Sequence, residues 1–183
     1  ESVAENTSDA MVGALVWGAL GGVPGLVGFR AVNTLDAMVG HKSPRHRRYG
    51  WASARLDDLV GWPGARLTAA LAVAAGGRPA QAVRAWRKDA GKHPSPNAGP
   101  VEASFAGALG VRLGGTLAYG GRVEHRPVLN GESGRDVRIE DVERAVRLSR
   151  RVGVLALGVC VAGRLVWGRA GLSGRTPVRR GRG

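Results

Sequence analysis

The chain has 183 residues, 44% of them apolar and 5% aromatic, and its 27 Lys and Arg against 14 Asp and Glu give a formal charge of +13. That length suits one domain, and so apolar a composition excludes a wholly disordered chain. The single cysteine, Cys160, excludes an internal disulfide framework and a Cys-rich zinc site, and its apolar neighbours make it read as a small buried hydrophobe.

The chain opens on Glu1, Glu5 and Asp9, whose i, i+4, i+8 spacing puts three acids on one helix face, where they repel unless a cation lies opposite. Two readings stay open: a face that binds a divalent metal or an amine, and a solvated first turn favoured by the helix dipole. The start at Glu1, inside this predicted helix and without an initiator Met or a signal-peptide n-region, reads as a truncation. Residues 10–29 then run without a charge for about the length a helix needs to cross a bilayer core, but Gly21, Gly22, Pro24 and Gly25 interrupt the middle. The run is either a single span or two short helices joined by a break. Behind it, Asn33 and Thr34 are placed to cap a helix beginning at Leu35, with Asp36 following.

Arg55, Asp57 and Asp58 set a guanidinium beside paired carboxylates; adjacent carboxylates point to different helix faces, and an Arg55–Asp58 surface ion pair is the plainer alternative. Residues 59–77 and 152–167 are apolar apart from Arg66 and Arg164, and Arg66, after Pro63 and Gly64, marks a predicted helix start. Arg-rich flanks on both sides of the three apolar runs conflict with the tendency of positive charge to stay cytoplasmic, so at least one run is expected to be re-entrant or interfacial. The competing reading makes all three runs core helices of a soluble all-α domain. Runs with so few polar atoms favour the membrane reading.

In residues 87–99, Pro94 and Pro96 stiffen an extended loop that presents His93, Ser95 and Asn97 behind Lys88 and Lys92, with Glu102 close by. Residues 106–115 are small and Gly-rich, suited to close helix packing, and residues 136–151 read as an amphipathic helix. Strand signals are weak. The expected fold is all-α: a polytopic helical membrane protein with short broken or re-entrant helices and Gly/Pro-rich polar loops, residues 1–168 forming one membrane domain and 169–183 a disordered basic tail. The basic charge admits anionic lipid or phosphorylated substrates, whereas the lack of aromatics interleaved with Arg argues against nucleic acid. No G-x-x-x-x-G-K-[ST], G-x-S-x-G or H-E-x-x-H pattern is present.

Five blocks in order, ESVAENTSDA (1–10), RAVNTLDAMVGHK (30–42), YGWASARLDDL (49–59), PGARL (63–67) and DAGKHPSPNAGPVEASFAGALGVRLGG (89–115), strongly resemble the adenosylcobinamide-phosphate synthase family of cobalamin biosynthesis, the CobD/CbiB type. The resemblance implies a multi-pass enzyme of the bacterial cell membrane. Its reaction would attach aminopropanol, free or phosphorylated, to the propionate carboxylate of adenosylcobyric acid as an amide, with ATP and Mg²⁺. Implied partners are the corrinoid, the amine, membrane lipid and other membrane proteins of the pathway. Family members usually carry hydrophobic sequence before the first block.

Carried onto this chain, the resemblance makes His93 the expected base, with Asp36 and Asp58 beside it as catalytic acids. Glu1, Glu5, Asp9 and Asp57 become expected metal or amine ligands. Asn6, Asn33, Thr34, Arg55, Arg66, Lys92, Ser95 and Asn97 become expected substrate contacts. The alternative is a noncatalytic membrane scaffold or corrinoid-binding subunit of the same pathway.

Overall fold

The structure, a computed structural model, describes residues 1–40, 47–119 and 122–173. It is mostly helical. Helix α1 (Ser2–Asn6) passes through a π-helical turn (Thr7–Val12) into α2 (Gly13–Val39), followed by α3 (Arg47–Ala75), α4 (Pro79–Asp89), a 3₁₀ turn (Ala90–Lys92) and α5 (Ala98–Leu109). Strands β1 (Leu113–Tyr119) and β2 (Arg122–Leu129) precede the last helix, α6 (Glu140–Ser173).

The core is built around α5, whose residues from Gly99 to Ala108 are all buried. A helix apolar on all sides has to be enclosed, and its small residues let neighbouring backbones come close. A Cβ on Gly107 would lie 2.5 Å from Ala82 Cα of α4, and one on Gly76, just past α3, 2.5 Å from Ala108 Cβ. Around α5 the core gathers Ala4, Val12, Ala65, Ala72, Ala82 and, from α6, Leu148, Val152 and Ala156.

The uncharged run of residues 10–29 is broken at its centre. Gly22 has φ 63° and ψ −151°, a backbone state reserved almost wholly for glycine, and the chain reverses there. A Cβ on Gly25 would lie 2.4 Å from Trp17 O, and one on Gly13 2.4 Å from the ring of Phe29. In a straight helix Gly13 and Phe29 would be about 24 Å apart. Of the two sequence readings, the pair of short helices joined by a break is the one found. The segment Ser2–Val39 is long and apolar enough to cross a membrane by length and composition, and only 11% of its most apolar stretch is buried.

Four expectations are corrected. The chain is not all-α: β1 and β2 pair antiparallel, Leu113 opposite Leu129 and Thr116 opposite His125. The Gly-rich stretch packs closely as helix only as far as Leu109; its far end, Gly114 and Gly115 with φ 81° and 92°, supplies the bulge of β1. Asn33 and Thr34 do not cap a new helix but lie inside α2, and Arg66 lies in the middle of α3 rather than at a helix start. The amphipathic helix and the third apolar run fuse into α6, about 51 Å long, which continues through Ser173. The basic tail beyond residue 173 lies outside the described residues.

Candidate functional site

Glu5, Asp9, Asn33, Asp36, Asp57, Ser95 and Asn97, with Phe29, Gly61 and Ala98, line one cavity of about 190 Å³. The side chains arrive from several supports. Glu5 stands on α1 and Asp9 in the π-helical turn, a feature that recurs at functional sites because its extra residue re-aims side chains. Thr7 Oγ1 in that turn lies 2.6 Å from Val3 O and 2.7 Å from Ser149 Oγ, which ties the turn to α6. Asn33 and Asp36 come from the second limb of α2, and Asp57 from α3.

Polar contacts fix these groups. Arg30 donates to Asn33 Oδ1 at 3.2 Å and to Asp9 O at 3.4 Å, and Asn33 Nδ2 donates to Asp57 Oδ1 at 3.4 Å. Arg66, stacked 5.0 Å from the Trp62 ring, donates to Asn97 Oδ1 at 2.7 Å, while Asn97 Nδ2 donates to Asp58 O at 2.8 Å. Ser95 Oγ accepts from the backbone N–H of Asn97 and Ala98, at 3.3 and 3.2 Å, and so starts α5. Burial pushes the Asp57 carboxyl above its usual range; Asn33 opposes this and the nearby Asp36 and Asp58 add to it. Four carboxylates on one cavity wall repel one another unless a proton or a cation offsets their charge.

Behind Glu5 lies a residue that the sequence reading assigned no role. Glu102 of α5 is 2% exposed. Burial, then the charges of Glu5 and Glu1, push its carboxyl up to about 7, and a hydrogen bond with Glu5 adds to the rise. His93 stands on the far side: its Nε2 is 3.9 Å from Glu102 Oε1, and its Nδ1 accepts the Ser95 N–H at 3.0 Å. His93 thus touches Glu102 on one side and Ser95 of the cavity wall on the other, without lining the cavity itself. Spacing alone could not reveal Glu102, since a Glu inside a helix usually faces water.

The remaining expected site residues are placed elsewhere. Glu1 does not join Glu5 and Asp9: it pairs with Arg126 at 2.7 Å and accepts the Gly114 N–H at 3.0 Å, holding β1 and β2 to the N-terminus. Asp58 faces Arg55 at 3.6 Å, the plainer of the two readings, and supplies its backbone carbonyl rather than its carboxylate to the site. Lys92 pairs with Asp89 at 2.6 Å; Asp89 in turn accepts the Asn130 N–H at 2.7 Å. Thr34 is exposed outside the cavity, and Asn6 lines a separate hollow with Ser149.

The donor set suits Mg²⁺ in kind, because that ion takes hard oxygens and commonly binds through one or two carboxylates with water and substrate phosphate. Among the described residues no three His, Cys, Asp or Glu converge to form a metal cage.

Separate sequence blocks thus close one acid-lined cavity within a helical body. The family model described as CobD/Cbib protein matches residues 1–149, and the chain belongs to that family. It is 57% identical over 156 residues to the cobalamin biosynthesis protein CobD of Mycobacterium tuberculosis, covering 83% of this chain and 49% of that protein. The proteins of the same name from Rhodobacter capsulatus and Rhizobium meliloti are 48% and 49% identical, over 82% and 80% of this chain and 48% and 46% of theirs. The chain therefore spans about half the length of these curated relatives. No solved structure matches it.

Proposed function

We propose that this chain carries the cation-binding half of a cobalamin-biosynthesis enzyme, which joins the amino group of aminopropanol, free or phosphorylated, to the propionate carboxylate of adenosylcobyric acid. The observation that carries this reading is the convergence of Glu5, Asp9, Asn33, Asp36, Asp57, Ser95 and Asn97 on one cavity in a member of the CobD/CbiB family. An amine arrives as an ammonium ion, and the cavity supplies carboxylates to receive it. Asp36 receives the ammonium, and Asn33 and Asn97 orient the hydroxyl or phosphate arm.

Amide formation needs the ammonium to lose a proton before its nitrogen attacks the carboxyl carbon, and it needs one carboxyl oxygen to leave that carbon, carried off as phosphate once ATP has activated it. Glu5 is the group on the cavity wall placed to take the ammonium proton, and Glu102 beside it can accept that proton as it releases its own to His93, 3.9 Å away. His93 is on this reading a positioning and relay residue. Mg²⁺ would be held by Asp9 and Asp57 and would offset phosphate charge; ATP, implied by the resemblance, supplies the phosphate that activates the carboxylate.

The protein is proposed to sit in the cell membrane, and a multi-pass topology belongs to the same proposal. Val23 at the α2 reversal is 76% exposed and Trp167 near the end of α6 69% exposed, with Val154, Leu157, Leu165 and Val166 also bare. Apolar surface of that extent is covered by lipid or by protein in a stable molecule.

Incubating the detergent-purified protein with adenosylcobyric acid, aminopropanol, ATP and Mg²⁺ and following corrinoid products chromatographically tests the reading. Product that requires both ATP and amine is expected. Corrinoid binding without product, in this chain and in a full-length relative alike, would instead make the protein a scaffold that presents the corrinoid to another enzyme.

A further inference from the structure

At the opposite end of α3 and α5 from the acid-lined cavity lies a second hollow of about 210 Å³ with the reverse charge. Its wall carries Arg78, Arg144, Arg147 and Arg151, and its floor is Gly76, Gly77 and Leu109. Gly61 lines the acidic cavity and Gly76 this one, so along α3 the two are separated by about 22 Å. None of these four arginines belongs to the five sequence blocks that carry the family resemblance.

Four guanidiniums around one hollow repel one another, so the question is what already compensates them. Arg144 is engaged: it donates to Asp141 Oδ1 at 2.6 Å and to Leu109 O at 2.9 Å, closing the end of α5. Asp141 is at the same time gripped in two places by Arg135, so its single charge serves two cations. Arg147 meets Glu143 at 3.3 Å, a pair exposed on both sides and weak in water. Arg78 lies over Gly110 and donates only to the neutral Gln81 Oε1, at 3.4 Å. Among the described residues neither Arg78 nor Arg151 has a carboxylate within ion-pair distance. Two guanidiniums thus face the hollow without an acid, on a wall of four.

The spacing is constructed by the fold. Arg144, Arg147 and Arg151 fall at i, i+3 and i+7 and form one face of α6, while Arg78 is delivered from the Gly76–Gly77 bend between α3 and α4. α4 opens at Arg78 with no side-chain cap and Pro at its first position, which leaves its positive end at the same rim. Gly77 contributes room, since a Cβ there would meet nothing within 4 Å. Guanidiniums converging in this way match the oxygens of a phosphate better than those of a single carboxylate.

We propose that the Arg78–Arg144–Arg147–Arg151 hollow is a phosphate-binding site, distinct from the acid-lined cavity. Two sources offer that chemistry. One is a soluble phosphoester; the other is the headgroup of an anionic phospholipid, because the bare apolar stretch of α6 begins at Val154, within one turn of Arg151.

The test uses the whole chain in neutral detergent with two probes: inorganic pyrophosphate measured by calorimetry, and mixed micelles containing phosphatidylglycerol measured against phosphatidylcholine alone. The variant R78Q/R151Q removes the two uncompensated charges, and R112Q/R138Q removes as many from exposed positions outside the hollow. Wild type and R112Q/R138Q are expected to bind, and R78Q/R151Q to bind at least tenfold more weakly. Loss confined to pyrophosphate assigns the site to a soluble phosphoester, loss confined to phosphatidylglycerol assigns it to lipid, and loss of both supports the shared chemistry. Equal binding by the two double variants, or no binding of either probe by the wild type, overturns the proposal. Circular dichroism on R78Q/R151Q confirms that the helices persist, and because the readout is binding, the outcome is independent of the amide-forming reaction.

Discussion

Arg66 and Asn97, 31 positions apart in sequence, share a 2.7 Å hydrogen bond that fastens the loop before α5 onto α3. Asn97 completes the clamp by donating to Asp58 O, so both ends of the contact rest on α3, about two helical turns apart. Gly61 sits between them with no room for a side chain: a Cβ there would lie 2.8 Å from Asn97 Nδ2. Gly61→Ala should therefore displace Asn97 and lower the rate of amide formation by about tenfold to a hundredfold, the usual consequence of misplacing a positioning group by an ångström. Arg66→Lys should act in the same direction, because an ammonium cannot both stack on Trp62 and reach Asn97 with a planar fork. Steady-state kinetics check both; an unchanged rate in Gly61→Ala would show that Asn97 takes no part in orientation.

The Glu5–Glu102 pair predicts a pH dependence of stability. The folded-state value for Glu102, about 7, lies above its ordinary 4.5, so between these two values the folded protein binds the extra proton. Stability from this group is complete below pH 4.5 and is lost as the pH rises toward and through 7. The loss amounts to at most about 3 kcal/mol. Glu102→Gln keeps the shape and a donor toward Glu5 and cannot ionise. Its melting temperature should be flatter than that of the wild type between pH 5 and about 8. Parallel profiles for the two proteins would rule out a shared proton at this position.

Asp57 gives the acidic cavity a sign that can be measured. Burial holds its pKa up, so a larger share of the carboxyl is neutral at mildly acidic pH than in an exposed Asp. Cation affinity should accordingly strengthen as the pH rises through the acid range and plateau once Asp57 is ionised. Asp57→Asn and Asp9→Asn should each raise the half-saturating concentration of amine or Mg²⁺ by about tenfold or more, on the scale of one lost charge-assisted contact. Thr34→Ala and Asn6→Ala, outside the cavity, should change it little. Equal effects from all four substitutions would remove the cavity from consideration as the cation site.

How far the sequence could be read follows from what kind of signal each feature carries. Glu5, Asp9, Asn33, Asp36, Asp57, Ser95 and Asn97 are conspicuous as polar residues in apolar surroundings, but it is the family resemblance, not their polarity, that singles them out as site residues. Their convergence was not legible, since it depends on the reversal at Gly22 and on α5 passing behind α1. Glu1 was misjudged because i, i+4 spacing fixes a helix face but says nothing of a cation such as Arg126 arriving from a strand 125 positions away. β1 and β2 escaped notice for a related reason: Gly114 and Gly115 mean close packing in a helix and a bulge in a strand, and only tertiary pairing decides. Arg144, Arg147 and Arg151 belong in sequence to the polar side of an amphipathic helix over residues 136–151, a pattern that does not show that Arg78 is delivered to the same hollow.

The α2 hairpin predicts a coupling between one backbone position and membrane affinity. Its limbs touch through Gly25, whose absent side chain lets Trp17 O approach, and the turn itself needs the positive φ of Gly22. Gly22→Ala should destabilise the protein by about 1–3 kcal/mol, the cost of holding a non-glycine residue in that backbone region. Gly25→Val should cost a similar amount, about 1–3 kcal/mol, by forcing the limbs apart. Splayed limbs also move Leu20, Val23 and Val27, which are all exposed at or near the reversal, away from a common patch. Flotation with phosphatidylglycerol-containing liposomes should then recover less of Gly25→Val than of wild type. Gly28→Ala, at a position where a Cβ meets nothing within 4 Å, should float normally. If Gly25→Val melts at a lower temperature yet floats as completely as the wild type, the hairpin is a packing element and the distal part of α6 alone seats the protein on lipid.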